Sequence, residues 1–149
     1  MFFEDLTVGF TFHTPAHVFT EADIMDYARV YDPQPFHIDP EAAAQSIYGG
    51  IIASGLQTCA VAFALTLKAN ILNESSMGSP GMDRIRWLKP VRPGDEIRVF
   101  AEVVEQVPSK SRPDRGRVVI DYSVRNQKED LILTYSITHM QRRRAPQSN

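Results

Sequence analysis

The second half of the chain alternates between apolar and polar residues over four segments. In "RVVIDYSVRN", Val118, Ile120, Tyr122 and Val124 occupy every second position. A period of two is typical of a β-strand with one buried face. The segments "MDRIRWLKP", "DEIRVFAEVVEQV" and "DLILTYSITHM" alternate in the same way, so four strands are predicted.

Three polar segments separate these strands and carry residues that favour turns. "RPGD" follows the first strand, "PSKSRPDRG" the second and "NQKE" the third. Such turns favour antiparallel pairing between strands that follow one another along the chain. A further short strand is predicted between Phe10 and Phe19.

The first half of the chain shows helical spacing instead. Thr20 precedes an acidic first turn and predicts the start of a helix that ends near Tyr31, because Pro33 disfavours helical backbone at the residue before it. Asp39 and Pro40 are typical of the cap and first position of a second helix.

A third, longer helix is predicted over residues 54–72, and its apolar residues surround most of its circumference. Such a helix must be covered on several sides. The simplest assembly is an α+β fold in which a curved antiparallel sheet wraps around this central helix. A length of 149 residues predicts one domain over residues 1–149.

Composition gives no reason to expect a nucleic acid or a membrane as partner. The formal net charge is -2, and hydrophobic residues make up 43% of the chain. Polar residues interrupt the apolar region 56–72, and the start "MFFEDLTVGF" lacks the basic segment of a secretory signal. We therefore expect a cytoplasmic protein, with the basic tail "QRRRAPQSN" as a solvated end.

The single cysteine, Cys59, excludes an internal disulfide and lies in an apolar run, which predicts a buried, unreactive thiol. His13, His17 and His139 have no partner at the spacing of metal ligands. We expect neither a metal site nor a bound cofactor.

The stretch "YDPQPFHIDP" holds Asp32 and His37 in a connector stiffened by three prolines. A carboxylate and an imidazole fixed in this way could orient a water molecule and act as general acid and base. The alternative is structural, because Asp-Pro pairs form turns and a histidine in a loop is often a hydrogen-bonded surface residue.

The segment "ASGLQ" begins the long helix. Ser54 can cap it, which leaves the N–H of Gly55 without a partner inside the helix and able to stabilise a developing negative charge. The alternative is a cap and a glycine that serve packing alone. Lys110, Arg112 and Arg115, in the "PSKSRPDRG" loop, are candidates for contacts with ligand phosphates, or for a solvated loop.

Taken together, "YDPQPFHIDPEAAAQSIYGGIIASG", the apolar helix, "RWLKPVRPGD" and "VRNQKED" resemble the MaoC-like dehydratases, which include the (R)-specific enoyl-CoA hydratases. The resemblance implies a hotdog fold and a homodimer, or a higher oligomer built from dimers, whose sheets join edge to edge. It also implies syn addition of water to a trans-2-enoyl-CoA, or the reverse dehydration, with the coenzyme A thioester as substrate.

In this resemblance Asp32 and His37 correspond to the catalytic pair. The helix start formed by Ala53, Ser54 and Gly55 corresponds to the substrate-binding segment, in which the N–H of Gly55 binds the thioester oxygen. Two positions depart from the family: Gln34 stands where asparagine is frequent, and Ser54 where some members have histidine.

Two alternatives to the hydratase remain at this point. Hotdog proteins also hydrolyse acyl-CoA thioesters, so a thioesterase is one, and a non-catalytic acyl-thioester-binding protein is the other. A protein that only binds needs neither Asp32 nor His37, so the presence of both favours an enzyme.

Overall fold

The computed structural model describes residues 1–145, which form one antiparallel sheet with helices mainly on one face. Its six strands are β1 (Thr11–His13), β2 (His17–Val18), β3 (Gly81–Trp87), β4 (Glu96–Pro108), β5 (Arg115–Asn126) and β6 (Leu131–Arg142). The order across the sheet is β1-β4-β5-β6-β3, with β2 also paired to β4. The four alternating segments are therefore confirmed as strands, and the predicted segment between Phe10 and Phe19 contributes two short ones.

Within residues 1–145, four α-helices follow a short 3-10 turn at Phe3–Asp5: α1 (Glu21–Tyr31), α2 (Pro35–Ile38), α3 (Pro40–Gln45) and α4 (Gly55–Lys68). The predicted caps are confirmed. The Thr20 side chain accepts a hydrogen bond from the Asp23 N–H, and the Asp39 carboxylate accepts from the N–H groups of Glu41 and Ala42. The Thr20 cap fixes the start of α1, which leads to Asp32, and the Asp39 cap fixes where the chain leaves the segment that holds Asp32 and His37.

One helix prediction was wrong in detail, and one further helical turn was not predicted. The long helix ends at Lys68 instead of Leu72, because Asn70 adopts a left-handed φ of 55° that breaks helical bonding. The connector between α1 and α3 contains helical backbone at Pro35–Ile38. Pro35 begins a single helical turn there, since a proline fits the first helical position.

The predicted pairing of β3 with β4 was also wrong. β3 pairs with β6 at an edge of the sheet, where Trp87 lies opposite Leu133. The "RPGD" turn does close a tight bend, in which the Arg92 N–H donates to the Asp95 carboxylate. That bend directs the chain toward Phe19, whose carbonyl accepts from the Gly94 N–H, and so to the other side of the sheet.

The core lies between α4 and the inner face of the sheet. Ala62 and Leu65 of α4 pack in one buried cluster with strand residues such as Val99, Ile120 and Leu133. Residues 1–145 leave the opposite face of α4 uncovered, in contrast to the sequence prediction. Its exposed apolar side chains are Leu56 (53% exposed), Phe63 (43%) and Leu67 (37%).

The basic tail is partly ordered against the start of the chain. Arg143 and Arg144 form ion pairs with Glu4 and Asp5, so these arginines are not the solvated end that the sequence suggested. The rest of the predicted tail, residues 146–149, lies outside the described residues. Within residues 1–145, no helix has the length and apolar character needed to cross a bilayer.

Candidate active site

Asp32 and His37 meet where α1 ends and the single turn of α2 follows. His37 is 4% exposed, and its Nδ1–H donates to the Ile52 carbonyl at 2.7 Å. This bond assigns the proton to Nδ1 and turns Nε2 toward Asp32, whose Oδ2 lies 3.2 Å away. One imidazole and one carboxylate are thus held in contact by the backbone of a neighbouring segment.

The Asp32 carboxylate is held at both of its oxygens. Gln34 Nε2 donates to Oδ1 at 2.7 Å, and the Ser54 hydroxyl donates to Oδ2 at 2.7 Å. Burial alone would raise the pKa of Asp32, but the net effect of its surroundings, led by the hydrogen bonds from Ser54 and Gln34, holds the pKa below its usual value. Asp32 is therefore ionised at neutral pH.

A cavity of about 490 Å³ opens beside this pair. Its lining includes Asp32, His37, Ala53, Gly55 and Trp87. A larger groove, of about 710 Å³, lies on the outer face of the sheet. We place the candidate site in the smaller cavity, because that is where the titratable pair and the helix start meet, and none of these five residues lines the outer groove.

The structure gives the three residues of the predicted substrate-binding segment different surroundings. Gly55 begins α4 and lines the cavity, so its first-turn N–H group is available to a ligand. Ala53 also lines the cavity, but its N–H donates to the Val91 carbonyl at 2.8 Å. Ser54 is fully buried, and its hydroxyl accepts from the Leu56 N–H and donates to Asp32. The Ser54 hydroxyl therefore holds the Asp32 carboxylate in place.

Sequence reasoning missed Trp87 as part of this site. The indole Nε1–H donates to the Gly55 carbonyl at 2.9 Å, and a Cβ atom added to Gly55 would lie 2.5 Å from Nε1. Only glycine leaves room for the indole at this distance. The contact joins positions 32 residues apart, and local periodicity carries no signal of it.

The segment proposed for phosphate contacts, "PSKSRPDRG" at residues 108–116, lies at the far end of the sheet from this cavity. Arg115 is opposite Arg142 on β6, whereas Trp87 is opposite Leu133. The intervening length of β6 is about 30 Å at roughly 3.3 Å per residue. A basic side chain that does line the cavity is Lys89, which also pairs with Asp130.

Other titratable groups have structural surroundings. Cys59 is half-buried, and burial raises the pKa of its thiol. His139 is buried against Tyr122, whose hydroxyl lies 2.7 Å from Nε2, and burial lowers the His139 pKa to about 4. Among the residues that the structure describes, no group of three His, Cys, Asp or Glu side chains is arranged to hold a metal ion.

Comparisons with known proteins agree with this fold. The crystal structure of a MaoC-like dehydratase from Rhodospirillum rubrum superposes with a TM-score of 0.90 at 37% identity, over 97% of this chain and 99% of that one. The R-hydratase PhaJ1 from Pseudomonas aeruginosa superposes with a TM-score of 0.76 at 26% identity, over 94% and 84%. YdeM of Bacillus subtilis, an uncharacterized protein, is 33% identical over 85% of this chain and 88% of its own length.

The antiparallel sheet and its central helix are thus those of a hotdog fold. The MaoC like domain matches residues 6–126, a span that includes Asp32, His37 and Gly55. The chain belongs to the MaoC-like dehydratase family.

Proposed function

We propose that the protein is a hydro-lyase that adds water to a trans-2-enoyl-CoA to give a 3-hydroxyacyl-CoA, or catalyses the reverse dehydration. The observation that carries the proposal is the Asp32–His37 contact of 3.2 Å at the wall of a cavity that the Gly55 helix start also lines. Family membership and the likeness to an R-hydratase support the same reaction class.

The water molecule binds between the carboxylate of Asp32 and Nε2 of His37. With Nδ1 holding its proton against the Ile52 carbonyl, Nε2 can accept a proton from water. The ionised carboxylate accepts a second hydrogen bond from the same water, which places the oxygen for attack.

In hydration, the water oxygen bonds to C3 of the enoyl group while the C2–C3 π electrons move toward C2 and the thioester carbonyl. The N–H of Gly55 stabilises the negative charge that builds on the carbonyl oxygen. The proton released by the water then reaches C2 through the Asp32–His37 pair. Because the two groups are in contact, they act as a coupled pair in these proton transfers.

The substrate supplies the coenzyme A, and the proposed reaction needs no further cofactor. Water addition leaves oxidation state unchanged, so no electron carrier takes part. The acyl part lies in the cavity beside Asp32, with its thioester carbonyl directed to the start of α4.

We further propose that the working form is a homodimer. β3 has β6 on one side and, within the described chain, no strand on the other, and Trp87 at its end is 50% exposed. The exposed apolar side chains of α4 give a second subunit a surface to cover. Pairing of two β3 edges would satisfy the backbone groups of these strands.

The test compares hydration of crotonyl-CoA by the wild type, Asp32→Asn and His37→Ala, followed as loss of the conjugated enoyl-thioester absorbance. Each substitution should lower kcat by at least about 100-fold, the scale of general acid–base catalysis, with unchanged circular dichroism. Asp39→Asn is the matched control, because this carboxylate caps α3. Near wild-type turnover in both site variants would refute the mechanism.

A further inference from the structure

A chain of hydrogen bonds connects Trp87 to the carboxylate of Asp32. The indole Nε1–H donates to the Gly55 carbonyl at 2.9 Å. That carbonyl shares a peptide unit with the Leu56 N–H, which donates to the Ser54 hydroxyl oxygen at 3.3 Å. The Ser54 hydroxyl in turn donates to Asp32 Oδ2 at 2.7 Å.

Every donor in this chain points the same way, from the indole toward the carboxylate. Hydrogen bonds aligned in this manner polarise one another, so each becomes a stronger donor to the next. Ser54 is fully buried, which keeps water from competing for its hydroxyl. The negative charge on Asp32 is the acceptor at the end and strengthens the final bond.

Trp87 is well placed to anchor this chain. It ends β3 opposite Leu133 of β6, and the next residue, Leu88, donates its N–H to the Ile132 carbonyl at 2.8 Å. The indole lies directly over Gly55, since a Cβ atom there would approach Nε1 to 2.5 Å and Cε2 to 2.6 Å. The sheet therefore holds the first peptide of α4 through this one side chain.

We propose that Trp87 is a positioning residue that orients Gly55 and, through the Gly55–Leu56 peptide and Ser54, fixes the carboxylate of Asp32. These hydrogen bonds form without a bound substrate. Their effect on the reaction rate rests on the proposed hydration. In that reaction Trp87 acts on both ends of the site, the N–H that faces the thioester oxygen and the carboxylate that holds water.

Several titratable groups lie near this chain of hydrogen bonds, and their effects must be distinguished from the effect of the hydrogen bonds themselves. His37 contacts the same Asp32 oxygen, Cys59 follows one helical turn after Gly55, and Lys89 lies two residues beyond Trp87. Tyr27 of α1 lies near Cys59 and Asp32, and its pKa is raised first by burial and then by neighbouring negative charge. Replacing Asp32 at constant, neutral pH leaves the protonation of Cys59 and Tyr27 unchanged.

The experiment uses the fact that Trp87 is the only tryptophan, so the protein gives one indole N–H resonance in a ¹H–¹⁵N spectrum. Asp32→Asn should shift this resonance in the wild-type background. In the Ser54→Ala background, where the chain is broken but the distance to Asp32 is kept, the same substitution should leave it in place. Equal shifts in both backgrounds, or none in either, would overturn the proposal, because the coupling would then be through space or absent.

A second measurement tests the positioning role and does not depend on folding of the Ser54 variant. Trp87→Phe keeps an aromatic ring and removes the indole N–H together with the second ring of the indole. It should lower kcat about 2- to 10-fold, as expected for one hydrogen bond in the site, with KM changed less than about twofold. An unchanged kcat would refute the role. If the wild type did not hydrate enoyl-CoA but the resonance coupling were present, the proposed reaction would fail and the hydrogen-bond chain would stand.

Discussion

Replacing Gly55 by alanine tests the close contact at the start of α4. The new Cβ would lie 2.5 Å from Trp87 Nε1 and 2.6 Å from Cε2, whereas non-bonded atoms need about 3.5 Å. The indole must therefore move by about 1 Å. Such a movement would stretch the 2.9 Å bond from Nε1 to the Gly55 carbonyl beyond hydrogen-bonding distance.

Two opposing terms decide the stability of this variant. Alanine favours helix over glycine by about 1 kcal/mol, and crowding in a packed site costs about 1–3 kcal/mol. We expect a net change between zero and a loss of about 2 kcal/mol, so the variant should fold. The crowding lies at Gly55 itself, whose N–H is proposed to bind the thioester oxygen, and not only at the Trp87 hydrogen bond. A displacement of about 1 Å of that N–H can cost about 100-fold, which is the loss expected in kcat/KM for crotonyl-CoA hydration.

Gly50→Ala is the matched control for the same change in residue type. Its added Cβ would meet Arg92 Nη1 at 3.7 Å, an ordinary contact, and Gly50 does not have a positive φ. Hydration kinetics and thermal unfolding should differ from those of the wild type for Gly55→Ala and should match them for Gly50→Ala. If Gly55→Ala retained activity within about threefold of wild type, the close contact would not position the amide as we infer.

Three further predictions concern pH and assembly. Burial lowers the His139 pKa from 6.5 to about 4, so the unfolded state binds a proton more readily than the folded state as pH falls across this range. The free energy of unfolding, measured with urea, should therefore fall by up to about 3 kcal/mol between these pH values, and His139→Gln should abolish this loss. Because the Asp32 pKa is lowered in the folded state, its stabilising contribution is complete above the usual aspartate pKa and is lost as pH falls through the folded-state pKa. In the same urea measurements, Asp32→Asn should lack this loss of stability at acid pH, and a loss equal to that of the wild type would contradict the prediction. Phe63→Glu on the exposed face of α4 should convert the proposed homodimer to a folded monomer in light scattering, and an oligomeric state equal to that of the wild type would exclude this face as the interface.

The parts of the fold that the sequence predicted are those with a local physical cause. Alternation in β4 and β5 reflects a sheet buried on one face, and the caps at Thr20 and Asp39 reflect bonds within three residues. The position of β3 was not predictable in this way. It depends on pairing with β6, which lies about 50 residues further along the chain.

In the candidate site, too, the residues recognised from the sequence are those with a local signal. Asp32 and His37 stood out because a rigid connector holds both within five residues of each other. The groups that orient them come from far along the chain: Ser54 is 22 residues from Asp32, and Trp87 is 32 residues from Gly55. Contacts of this kind follow from the packing of α4 against the sheet edge, so they emerge only once the chain is folded.

The most direct test of the account is to mix the purified protein with crotonyl-CoA while following enoyl-thioester absorbance and, in parallel, free thiol with a thiol reagent. The proposed hydration predicts loss of the conjugated absorbance without thiol release. Thiol release would instead assign a thioesterase, in which water attacks the thioester carbonyl carbon. No change in either signal, with crotonyl-CoA binding detected by calorimetry, would contradict catalysis by Asp32 and His37 and identify an acyl-thioester-binding protein.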